Sequence, residues 1–124
     1  MSSTCTFGEG IPNSPECIRH QQAIQDALYV LSGKWKLPIL LALAQGHTRF
    51  GEIGKAVGAI APKVLSQELK VLEQNGFLTR VVHDTFPVQV SYQPTAYSQT
   101  LHPVLEALSD WGTQHRARVM QQVL

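Results

Sequence analysis

From residue 14 onward the apolar positions recur every three or four residues, and glycines at 33, 46, 58 and 76 cut the pattern into helix-sized lengths. "SPEC" opens the first length: Ser14 is a natural N-cap, Pro15 fits the first helical position, and Glu16 suits the positive end of the dipole. Ile24, Ala27, Leu28 and Leu31 give that helix one apolar stripe, and Gly33 is its stop. Lys34 to Ala44 is apolar nearly all round, which predicts a buried helix that starts late or bends at Pro38. Thr48 is the expected cap of a short helix striped by Phe50, Ile53 and Val57. Gly58 ends it, and Pro62 opens the next helix after only a few residues. Two short helices joined by a tight turn of this kind are a helix-turn-helix pattern.

After Asn75-Gly76 the period changes to two. Val88, Val90 and Tyr92 alternate with Gln89, Ser91 and Gln93, which predicts a strand with one wet face. "FLTRVV" is its partner and "HDTFP" the turn between them. The fold class that follows is mainly α with a small β-hairpin wing: a winged helix-turn-helix, its second helix over 62–75 and its wing over 81–92. The last segment carries Tyr97, Leu101, Val104, Leu105, Leu108, Trp111, Val119 and Val123. A helix from Pro103 to Val123 would run about 30 Å, more than a core of this size covers. Its surplus apolar face, with that of the first helix, suggests a second copy of the chain, so N- and C-terminal dimerisation helices are expected. Residues 1–13, rich in Ser, Thr, Gly, Pro and Asn, read as a flexible arm, and 14–124 as one domain.

The helix from Pro62 carries the most specific chemistry. Leu65, Leu69 and Leu72 share one face and belong to the core. Opposite them fall Lys63, Ser66, Gln67, Lys70 and Gln74, with Glu68 and Glu73 to the sides. Such a face suits the DNA major groove: Gln bonds adenine, Lys donates to guanine or phosphate, Ser suits either, and a carboxylate would repel phosphate. Charge along the chain supports this. Lys34 to His83 holds seven Lys or Arg, Arg49 and Arg80 among them, against three acids; the flanks hold three against six.

Other classes find little support. No apolar run reaches membrane-spanning length and no secretory signal opens the chain, so a cytoplasmic protein without a membrane partner is expected. Two cysteines, Cys5 and Cys17, are too few for a disulfide scaffold. The five histidines form no HExxH and no serine stands in a nucleophile elbow, so neither catalytic residues, cofactor nor metal is expected. Cys17 and His20 share a helix face, but two ligands make no metal site. Cys17, at the third helical position, is a candidate redox sensor, since free N–H groups there stabilise a thiolate. A buried, inert thiol is the plainer reading. Trp35 and Trp111 are more readily core residues than the walls of a ligand pocket.

"GKWKLPILLAL", "TRFGEI", "IAPKVLSQELKVLEQNGFLTR", "FPVQVSYQPT" and "LHPVLEALSDWG", in this order between Leu31 and Gly112, resemble the signature of the HxlR-type bacterial transcriptional regulators, which are MarR-like. The resemblance implies a homodimeric winged helix-turn-helix protein that binds double-stranded operator DNA, as a repressor more than an activator. The recognition helix would be Pro62 to Gln74 and the wing Val81 to Tyr92. The expected DNA-binding residues are Arg49, Pro62, Lys63, Ser66, Gln67, Lys70, Arg80 and His83. A small-molecule or electrophile effector is a further expected partner. Three positions depart from the family pattern: Ala61 replaces a usual Ser, Gln89 a frequent Arg, and Cys17 lies about one turn upstream of the usual cysteine. The competing expectation is a winged helix that contacts only proteins.

Overall fold

Five α-helices and one hairpin follow each other in the computed structural model, which describes residues 14–123. The expected arm, with Cys5, lies outside the described residues. Helix α1 (Pro15–Leu31) starts as the sequence dictates, with the Ser14 hydroxyl accepting the Cys17 N–H at 3.2 Å. Helix α2 (Lys36–Ala44) starts late rather than bending, so Pro38 falls in its first turn, where no intrahelical N–H is lost. Helix α3 (Phe50–Val57) is capped differently from expectation. Arg49, not Thr48, is the N-cap residue, and Glu52 reaches back to accept the N–H groups of Arg49 (3.2 Å) and Thr48 (3.3 Å). The Thr48 carbonyl instead accepts the Tyr92 N–H at 2.7 Å and so ties the hairpin to the loop before α3. Gly58, at φ +110°, provides the left-handed turn to α4 (Pro62–Gln74) that a Cβ would strain.

These elements enclose one core. Ile39 and Leu43 of α2, Ile53 of α3 and Leu65, Leu69 and Leu72 of α4 are the largest side chains buried almost completely. At roughly 1.5–3 kcal/mol for each such burial, the six side chains are the main force positioning α4. Phe77 and Leu78 continue the core into the hairpin, and Phe77 stacks on Tyr97 with ring centroids 5.2 Å apart. Gly76, at φ +84°, turns the chain from α4 into β1.

The wing consists of β1 (Leu78–His83) and β2 (Gln89–Pro94), paired antiparallel from Leu78↔Pro94 to His83↔Gln89. It starts earlier and ends later than the 81–92 expected, because pairing begins directly beside the buried Phe77 and Leu78. The expected wet and dry faces are also corrected. Ser91 is buried at 7% exposure and meets the His83 ring nitrogen Nε2 at 2.8 Å, whereas Val88 lies outside the strand and is 63% exposed. A two-stranded ribbon is covered only near its base, so alternation along it does not fix which face is dry.

A 3-10 turn (Tyr97–Leu101), begun by Thr95 whose hydroxyl accepts the Ser98 N–H at 3.1 Å, leads into α5 (His102–Val123). Beyond Leu105, α5 is exposed through residue 122. Trp111 is 63% exposed and stacks on His115, so it is no core residue of the single chain, whereas Trp35 packs against the core. Helix α1 is similarly bare, with Ile18, Ile24, Leu28 and Tyr29 all exposed. No single helix among the described residues is long and apolar enough to cross a membrane.

Candidate nucleic-acid interface

With Leu65, Leu69 and Leu72 fixed inward, helical geometry places the rest of α4. Lys63, Ser66, Gln67, Lys70 and Gln74 fall on the opposite side, and all five are exposed. Glu68, the acid nearest the middle of this helix, is drawn aside. Its Oε2 lies 3.1 Å from Lys36 Nζ on α2, with the two side chains only 22% and 17% exposed. The start of α4 keeps its donors unclaimed by any side-chain cap. Ala61 is the N-cap and supplies no cap bond, and Pro62 removes an N–H that would have no intrahelical partner anyway. The helix therefore presents partial positive charge at this end.

The hairpin adjoins that face. Ser66, Leu69, Lys70 and Glu73 of α4 and Arg80 and Tyr92 of the wing line one shallow cleft of about 260 Å³. Lys70 and Arg80 bring two cations to its rim and Ser66 a hydroxyl, an arrangement able to seat a phosphate. Glu73, expected to the side, is part of this cleft and offsets some of the positive charge. Tyr92 is legible in the sequence only as a strand residue; its cross-strand pairing with Arg80 is what brings it here. Lys63 and Gln67 lie on the same helix but not in the cleft.

Two other expected residues stand apart. Arg49 is at the start of α3, on the loop that Tyr92 holds. His83 is engaged with Ser91, so its ring nitrogen Nε2 is already committed within the wing. The turn beyond it, Asp84 to Val88, carries no cation, and Phe86 stands fully exposed. Nearby, Glu52 has its carboxyl held below the usual carboxylate range, chiefly by the Arg49 N–H and then by that of Thr48, with the His47 and Arg49 charges assisting.

Cys17 is buried, at 4% exposure, and stands in a disulfide. The free thiol expected at the third position of α1 is therefore not what this structure holds. The apolar stripe of α1 is likewise incomplete: Leu31 is buried, but Ile24 is 45% exposed.

Residues 30–120 match the model of the HxlR-like helix-turn-helix family. A helix-turn-helix-type transcriptional regulator of Bacillus subtilis, YtcD, is 34% identical over 101 residues, covering 82% of this chain and 80% of that protein. Among solved structures, a MarR-family transcriptional regulator from Enterococcus faecalis V583 superposes with a TM-score of 0.71 at 32% identity, covering 82% of this chain and 92% of that one. The redox regulator HypR in its reduced form gives 0.74 at 28% identity, covering 80% and 98%.

Proposed function

The chain belongs to the HxlR-like helix-turn-helix family of transcriptional regulators, and from that premise we propose that it binds a specific operator as a homodimer, through α4 and the wing, and represses the adjoining genes. The observation that carries this reading is the outer face of α4. Lys63, Ser66, Gln67 and Lys70 stand there together, and the nearest central acid, Glu68, is held aside by Lys36. Gln67 is the residue suited to a base edge; Lys63 and Lys70, with Arg80 across the cleft, are suited to phosphates. A retarded band with genomic duplex, weakening steeply as salt rises, is the expected result. Failure to bind any duplex at low salt contradicts it.

The dimer follows from the bare faces of α1 and α5. Ile24, Leu28 and Tyr29 on one helix and Leu108, Trp111 and Met120 on the other expose more large apolar surface than a lone soluble chain sustains. Packing these helices between two copies covers that surface and places two α4 helices for adjacent DNA half-sites. Control runs through Cys17 in this reading. It begins α1 beside the proposed seam, so reduction, oxidation or an electrophile adduct there alters how the two copies sit.

A further inference from the structure

The wing ends in an apolar point. Phe86 is 103% exposed, Val88 63% and Val82 53%, with Pro87 between the first two. No other described large hydrophobic side chain is so fully bare as Phe86. The turn that carries it is fastened: the Thr85 hydroxyl donates to the Pro87 carbonyl at 2.8 Å, and the Thr85 N–H to the His83 carbonyl at 2.9 Å. At the end of the strands below, His83 and Ser91 clasp the hairpin.

Charge narrows what such a tip can meet. Its only ionised residue is Asp84, which phosphates repel. Contact with DNA at this point gains nothing from the backbone and must be made with sugars and bases. The base of the same hairpin is differently built, since Arg80 shares a cleft with Ser66 and Lys70 of α4. From Arg80 to the tip, three strand residues and the turn span about 15 Å. Adjacent major and minor grooves are separated by about half a helical turn, roughly 17 Å. With α4 in the major groove and Arg80 at its bordering phosphates, the tip has the reach of the neighbouring minor groove.

We propose that Phe86, backed by Pro87, is a wedge that enters this minor groove and partly unstacks a base step, so that the protein bends its operator. The proposal rests on the DNA-binding reading of α4. Apolar wedges act in this way when unstacking is offset by the greater contact a bent duplex allows. A flexible pyrimidine–purine step is the expected target, because its deformation costs least. Specificity then extends to a step that no hydrogen bond reads.

The test uses the full chain and a duplex enriched by it from a random pool, with donor and acceptor dyes at the two ends. Wild-type protein should raise the end-to-end energy transfer. Phe86→Ala, at a fully exposed position where folding is not at stake, should bind within about tenfold of wild type yet lose that rise, and Phe86→Trp should recover it. A wild-type complex with a straight duplex, or equal bending by Phe86→Ala, overturns the wedge and leaves DNA binding intact. Should Phe86→Ala change self-association instead of bending, the tip contacts protein and the wedge is likewise overturned. Enrichment of no duplex at all overturns the α4 reading itself.

Discussion

Lys36 and Glu68 meet at 3.1 Å across the α2–α4 contact, and this pair decides which charges α4 offers to solvent. Glu68 Oε2 is buried and, among the described residues, has no hydrogen-bond partner in directed geometry. The Lys36 charge is its compensation. Without it, a carboxylate in the middle of α4 would be left desolvated or swing outward toward the proposed DNA face.

Lys36→Met is therefore expected to destabilise the fold by about 1–3 kcal/mol, the cost of leaving a buried polar group unpaired. It should also weaken DNA binding. Adding Glu68→Gln should recover most of the stability, because the stranded charge is gone. Urea unfolding of the two variants checks this; equal stability of wild type and Lys36→Met would show that the pair is idle.

Glu52 predicts a pH dependence. Its folded-state carboxyl titrates below the ordinary range because it accepts the Arg49 and Thr48 N–H groups. A depressed carboxylate contributes stability that is complete above the unfolded value and is lost as pH falls through the folded one. The stability difference between wild type and Glu52→Gln should thus be largest near neutrality and fade in acid. A difference that instead grows on acidification contradicts the assignment.

The bare helices predict an oligomeric state. Leu28→Glu combined with Trp111→Glu places charge on both exposed faces without touching the core. Sedimentation should find wild type as a dimer at micromolar concentration and the double variant as a monomer with unchanged helix content. A monomeric wild type would remove the basis for two half-sites.

Much of the helix-turn-helix is legible in the sequence, because α4 is amphipathic with leucines at 65, 69 and 72, and because Ser14, Pro15, Gly58 and Pro62 mark boundaries by local geometry. The cap of α3 is not, since Thr48 and Arg49 are adjacent and the choice turns on a tertiary bond from Tyr92. Ser91 escapes for a related reason: its burial depends on His83, eight residues away across the hairpin. Trp111 has the composition of a core residue but faces outward in one chain. Along α4 the polar face can be read from spacing alone, whereas the cleft uniting Lys70, Arg80 and Tyr92 depends on how the hairpin docks.

Cys17 predicts a redox response. Treating the protein with reductant, then with peroxide, should change operator affinity by a factor of about 5–150, the usual range for coupled sites. Cys17→Ser should bind with one affinity under both conditions. Operator affinity that ignores both treatments in the wild type would remove the sensor and leave the regulator.

The reading of α4 is tested most directly by comparing the sequences that wild type and Gln67→Ala each enrich from a random duplex pool. Wild type should yield two half-sites with centres one helical turn apart, about 34–36 Å. Gln67→Ala should lose preference at one base pair in each half-site, a change of about 1–3 kcal/mol there, with the other positions kept. Lys63→Ala and Lys70→Ala should instead weaken binding to all sequences, each lowering the salt slope by about 1. Enriched sequences that are identical for wild type and Gln67→Ala, or no enrichment by the wild type, would contradict recognition through α4.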